Sequence, residues 1–252
     1  YEMIESKGPF FPKTIKSGLD VEKLTTDVVP NLQYVFESIK LTKAALNDRV
    51  PLIGFAGAPW TIFSYMIEGK GSKTFSEAKK MLYVNPVLSH LLLEKITQST
   101  ISYLKEQIRN GADILQVFDS WAGVLSKAQY IEFALPYMKK ISDAITEVPV
   151  ILFAKDAHYI IEEFAQTNCS VIGLDWTIEP QKARSEAPNK TLQGNLDPCV
   201  LYADKEMIKA EAEKMLRAFG KQNYICNLGH GVYPDVDFEK AKYFIDVVQN
   251  FR

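Results

Sequence analysis

Six short apolar runs punctuate the chain, and most are followed by a stretch whose apolar residues recur at helical spacing. The runs are 51–56, 112–118 (ADILQVF), 148–154 (VPVILFA), 171–174 (VIGL), 190–193 (KTLQ) and 224–228 (YICNL); the fifth is the weakest and rests mainly on its position. Continuous apolar runs, unlike alternating ones, suit strands buried on both faces of a parallel sheet. Helical patterns cover 31–47, where Leu32, Val35, Phe36 and Ile39 line one face, then 60–68, 86–110, 126–147, 157–167, 179–186, 204–219 and 237–250. Gly111 and Gly220 are the expected stops of two of them. Pro136 must kink or split the 126–147 helix. Thr74 and Glu77 have capping-box spacing ahead of Met81 and Leu82. The first 30 residues, with Gly8, Pro9 and Pro12, read as an irregular or hairpin segment.

Strands alternating with helices predict an α/β fold with right-handed crossovers. The open doubly wound sheet and the (β/α)₈ barrel both fit that order. No G-x-G-x-x-G follows any strand, which weakens the dinucleotide-binding version of the open sheet. A closed barrel takes eight strands, two more than the pattern supplies. The longest uncharged run, 50–67 (VPLIGFAGAPWTIFSYMI), reaches the lower length of a membrane span. Pro51 and Pro59 interrupt it as a helix, so it reads instead as a buried strand, a Gly57-Ala58-Pro59 turn and a helix.

Composition changes this picture little. Lys+Arg is 29 and Asp+Glu 31, a formal charge of −2, which argues against a broad nucleic-acid footprint or a polybasic membrane patch. Hydrophobic residues make up 47% of the 252, so a large core needs no covalent staples. The three cysteines, at 169, 199 and 226, show no short paired spacing. No disulfide framework is expected, and a reducing, cytoplasmic compartment is. The chain starts at Tyr1 with no basic-then-apolar leader, unlike a secretory precursor.

In either architecture function gathers beyond the C-terminal ends of the strands. Those ends read Gly57-Ala58-Pro59, Asp119-Ser120-Trp121, Lys155-Asp156, Asp175-Trp176, Gly194-Asn195-Leu196-Asp197 and Gly229-His230-Gly231. Ordinary roles compete at each. Asp119, Asp175 and Asp197 fit helix caps or turns as well as catalysis, and Lys155-Asp156 fits an ion pair as well as a Schiff-base lysine. His158 and His90 read as structural. His230 stands out because glycines on both sides permit close approach of a ligand. Cys226 and His230 are spaced C-x₃-H, but no second ligand pair follows, which is a poor zinc site. The five arginines, at 49, 109, 184, 217 and 252, all miss the strand ends, so an anion clamp is under-equipped.

Taken together, the strand-end motifs resemble a known family. Segments 51–75 (PLIGFAGAPWTIFSYMIEGKGSKTF), 115–123 (LQVFDSWAG), 133–139 (FALPYMK), 153–158 (FAKDAH), 173–176 (GLDW), 192–198 (LQGNLDP) and 227–235 (NLGHGVYPD) are similar, in order and spacing, to the signature of the uroporphyrinogen decarboxylases. The resemblance runs from about residue 8 to the end. It implies a (β/α)₈ barrel that forms homodimers in the cytoplasm and uses no metal or prosthetic group. The implied activity is that of a carboxy-lyase of haem and porphyrin biosynthesis, which removes carbon dioxide from the four acetate side chains of uroporphyrinogen III to give coproporphyrinogen III. It also implies roles for particular residues. Tyr65 would contact the substrate near the reacting acetate, Ser120 would bind a substrate carboxylate, and His230 would bind a propionate or acetate. Phe55 and Gly57 would form the cleft wall, where a larger side chain at 57 would block entry.

The resemblance further implies an arginine-rich segment and a pyrrole-binding aspartate that precede the part matched by Tyr1. The expectation is therefore a single decarboxylase barrel domain over 1–252 without its first two βα units, inactive by itself. Three rival readings remain. A corrinoid-dependent methyltransferase would need a His-x-Cys pair where the chain has FAKDAH. A substrate-binding or assembly role would lack turnover. A Schiff-base decarboxylase would use Lys155.

Overall fold

The structure, a computed structural model, describes residues 2–4 and 8–251. They fall into two compact units, Tyr1–Ala157 with Thr167–Cys169 and His158–Gln166 with Ser170–Arg252.

The first unit opens with an antiparallel hairpin, β1 (Glu2–Ile4) and β2 (Gly8–Phe10), in agreement with the hairpin reading as far as the described residues go. A short helix the sequence pattern had not signalled follows, α1 (Gly18–Glu22), started by a Ser17/Asp20 capping box. Five residues cannot hold a helix alone. Lys95 supplies the tertiary tie, its ammonium donating to the carbonyls of Val21 (2.9 Å) and Leu24 (3.0 Å) at the helix end, where a cation is favoured. Helix α2 (Gln33–Leu46) then leads into β3 (Ile53–Gly57), and α3 (Pro59–Glu68) starts on Pro59 at its first turn. Helix α4 (Ser76–Val84) corrects one expectation. Thr74 and Glu77 form no capping box: the Glu68 carboxylate accepts from the amides of Glu77 (3.1 Å) and Ala78 (3.3 Å), and Ser72 from those of Thr74 and Phe75. Phe75 sits at φ 47° at the cap, and its fully buried ring fixes the chain there.

Asn85 and Pro86 start the long helix α5 (Pro86–Arg109), which buries Leu92, Leu93, Ile96 and Leu104. Then come β4 (Ile114–Asp119), α6 (Lys127–Phe133), α7 (Leu135–Ala144) and β5 (Val150–Ala154). Pro136 splits α6 from α7, as its missing N–H demands. Strands β3, β4 and β5 are parallel and in sequence order.

The second unit repeats the alternation: α8 (Ile161–Ala165), β6 (Val171–Gly173), α9 (Pro180–Glu186), β7 (Thr191–Leu196), α10 (Lys205–Phe219), β8 (Tyr224–Leu228) and α11 (Phe238–Gln249). Strands β6, β7 and β8 are also parallel and sequential. The six parallel strands are the six the apolar runs predict. Two of them depart from double-sided burial. On β3, Ile53 and Phe55 are exposed, and on β8 no residue is fully buried. Each of these strands pairs with one neighbour among the described residues, so less of its surface is covered than in β5 or β7. No helix among the described residues is long and apolar enough to cross a membrane.

Candidate active site

In the first unit the strand register sets which side chains share a face. Gly57 lies opposite Phe118, and Phe118 opposite Phe153. With the two-residue period of a strand, Phe55 joins the same face. The result is an aromatic row: Phe55 meets Phe118 edge-on at 5.9 Å, and Phe118 meets Phe153 at 5.8 Å. Phe55 is 61% exposed, so the row is open at its β3 end, while Phe153 is buried at the other. Gly57 is half-buried, and a Cβ there would come to 3.2 Å from the Ile62 side chain, tight but against a flexible group.

The opposite face of β4 carries Asp119, which is fully buried against the helices. Its carboxylate caps nothing. Oδ1 accepts from the Thr61 hydroxyl of α3 (2.6 Å) and Oδ2 from the Tyr130 hydroxyl of α6 (3.0 Å). Burial outweighs these two bonds and pushes its pKa up to about 6. Ser120, next in sequence, is partly exposed, and its hydroxyl makes no hydrogen bond among the described residues. Trp121 packs against Phe75 (4.7 Å) and meets Tyr65 edge-on (6.1 Å). Its indole N–H is buried without an acceptor among the described residues. The Tyr65 hydroxyl also makes no hydrogen bond among the described residues. Trp121 thus links the Tyr65 ring to the strand end that carries Ser120, and each of the two has a hydroxyl without a hydrogen bond among the described residues.

The backbone of Phe55 is held in a way the sequence reading missed. Gln107 of α5, almost fully buried, accepts from the Phe55 N–H and donates to its C=O, both at 2.9 Å. The signal was present: a polar residue three past Leu104 on the helix face that buries it. Gln107→Leu leaves both backbone groups of Phe55 without these partners. It is expected to cost about 1–3 kcal/mol, read as a lower urea midpoint at unchanged slope.

In the second unit His230 is exposed on the loop after β8. Gly229 explains why glycine precedes it, and the reason is the protein's own backbone. Its N–H donates to Leu196 O at 2.7 Å, and a Cβ would lie 2.8 Å from Trp176 N and 3.0 Å from Asp175 Cα. Gly231 has open space around it. The loop is also tied at its far end, where Tyr202 stacks on Tyr233 at 6.0 Å and donates to Asp235 (2.6 Å). That bond, more than anything else, pushes the Tyr202 phenol up to about 12.

The competing strand-end residues make contacts of ordinary kinds. Asp175 accepts from the amide of Thr177 at 2.8 Å, and Asp197 from that of Cys199 at 2.8 Å, both turn contacts. Lys155 pairs with Asp156 at 2.6 Å. His90 stacks on Phe133 at 4.7 Å and bonds the Tyr137 hydroxyl at 2.8 Å. Burial pushes the Cys226 thiol up to about 11, unfavourable for a thiolate ligand. Among the described residues no three His, Cys, Asp or Glu side chains converge as a metal site.

The sequence matches the family of uroporphyrinogen decarboxylase (URO-D) over residues 1–251. The chain belongs to that family. It is 46% identical to the uroporphyrinogen decarboxylase of Christiangramia forsetii, a match covering 100% of this chain and 74% of that protein. It is 48% identical to that of Ovis aries, covering 98% and 70%. Among solved structures it is similar to a methyltransferase from Methanosarcina mazei, with a TM-score of 0.80 and 18% identity over 96% of this chain and 70% of that one. The methyltransferase shares the fold alone, whereas the decarboxylases share nearly half of the residues. The decarboxylase family is one of carbon–carbon lyases in porphyrin and haem biosynthesis, and the methyltransferase reading is not favoured.

Proposed function

We propose that the chain acts on uroporphyrinogen III and decarboxylates its acetate side chains, with Tyr65, Ser120, His230, Phe55 and Gly57 contacting the substrate. The family match over residues 1–251 carries this reading. The first unit supports it with an aromatic row that ends at the exposed Phe55 and with two uncommitted hydroxyls, groups that suit a large, partly apolar ring bearing carboxylates. His230 adds a polar group on the loop after β8 in the second unit.

Each step replaces –CH₂COO⁻ by –CH₃, consuming one proton and releasing carbon dioxide. The electron pair of the broken C–C bond needs a sink. Protonating a pyrrole carbon makes the ring itself that sink, and the pair returns to the ring as carbon dioxide departs. The resulting methylene takes a second proton, and the ring carbon gives back the first. The protein's task is to bind the carboxylates, exclude water from the reacting arm and hold the ring while positive charge develops. Ser120 donates to a carboxylate, Tyr65 lies against the reacting acetate, and His230 binds a further carboxylate. The protein is further read as a cytoplasmic homodimer that engages no nucleic acid.

The test is turnover of uroporphyrinogen III, with products oxidised to porphyrins and separated by chromatography. In the full-length protein, Tyr65→Phe and His230→Asn are each expected to lower kcat/KM by about tenfold or more, the scale of one lost polar contact to a charged group. Their melting temperatures should stay near wild type. Wild-type kinetics in both variants would overturn the site assignment, and a full-length wild-type protein without turnover would overturn the activity.

A further inference from the structure

We propose that Thr61, Asp119 and Tyr130 are positioning residues that hold Ser120 and Trp121, and through Trp121 the ring of Tyr65, in register for the substrate. The inference rests on the decarboxylase reading and adds residues that stand behind the contacting groups.

Asp119 cannot touch substrate, because it points to the helix side of β4 and is fully buried. Its role follows from the direction of its hydrogen bonds. Thr61 has one hydroxyl proton and spends it on Asp119 Oδ1 at 2.6 Å. Its lone pairs are then left to accept, and they do so from the Trp121 N–H at 3.3 Å. The carboxylate thereby fixes the polarity of the Thr61 hydroxyl. On the other side of the same residue, the Trp60 indole N–H donates to Trp121 O at 3.0 Å. Both polar groups of the Trp121 backbone are held by adjacent side chains in the first turn of α3. Tyr65 lies one turn further along that helix, its ring edge-on to Trp121. The N–H of Ala58 donates to Phe118 O at 2.8 Å, pinning the start of α3 to the end of β4. Tyr130 completes the frame from α6 by filling Oδ2.

The experiment compares Thr61→Val with Thr61→Ser in the full-length protein. Val keeps the shape and removes the hydroxyl, while Ser keeps the hydroxyl. Thr61→Val is expected to lower kcat/KM on uroporphyrinogen III at least tenfold, mainly through KM, and Thr61→Ser to stay within threefold of wild type. Amide exchange in the peptide containing Trp121, followed by mass spectrometry, should quicken at least tenfold in the first variant only. Equal losses in the two variants, or wild-type kcat/KM in Thr61→Val, overturn the proposal. If Thr61→Val does not fold, Tyr130→Phe carries the test: a KM raised threefold or more supports the proposal, and a wild-type KM overturns it. A full-length wild-type protein without turnover sinks the decarboxylase reading instead, and the hydrogen-bonded frame is then judged on amide exchange alone.

Discussion

Replacing Gly194 by alanine is expected to unfold the second unit under conditions where the wild-type chain is fully folded. Gly194 lies in β7, where five consecutive residues from Leu192 to Leu196 are buried. Its φ is +137°, and a Cβ would run into the carbonyl oxygen of Leu174. That carbonyl cannot step aside cheaply, because the same residue's N–H is bonded to Gln193 O at 2.8 Å. Two costs therefore add: backbone strain of about 1–3 kcal/mol for a side chain at such a φ, and overpacking of about 1–3 kcal/mol. A loss of about 2–6 kcal/mol is a large share of the roughly 5–15 kcal/mol that holds a domain together. Urea unfolding followed by circular dichroism checks it. A midpoint within error of wild type would show that β7 and β6 part more easily than their hydrogen bonds imply.

The second large effect is a pH dependence. Burial raises the Asp119 carboxyl from 3.8 to about 6, with the Thr61 and Tyr130 hydroxyls pulling weakly the other way. Between those values the folded state holds a proton that the unfolded state has released. Stability therefore falls as pH rises from about 4 to about 7, by about 3 kcal/mol for this group. Asp119→Asn removes the titration and keeps one carbonyl oxygen as an acceptor. The stability difference between variant and wild type should move toward the variant by about that amount across the window. Paired urea titrations at pH 4 and pH 7 measure it, and parallel pH profiles would count against a buried, titrating Asp119.

Much of the fold was legible because it depends on local pattern. The apolar runs at 148–154 and 171–174 are strands since such residues have no other way to bury themselves between helices, and Pro136 breaks its helix wherever that helix packs. The failures share a cause. Thr74 and Glu77 have the spacing of a capping box, yet Glu68 from the preceding helix takes the amide of Glu77 and Ser72 that of Thr74. Helix α1 was invisible because Lys95, more than seventy residues away, helps to hold its end. In sequence Asp119 fits a cap or turn as well as catalysis, because its two hydroxyl partners lie 58 and 11 positions away.

The candidate site divides along the same line. Sequence alone determined the family, the order of strands and helices, and which residues stand at the strand ends, since motifs and periodicity are properties of neighbours in the chain. Only the tertiary structure decided which strand-end residues carry ordinary bonds and which keep free hydroxyls. It also decided that Gly229 is there for the backbone of Asp175 and Trp176, and that Gln107 holds Phe55. These depend on which face of a strand a side chain takes and on what a distant helix brings to it, and no spacing along the chain encodes that distance.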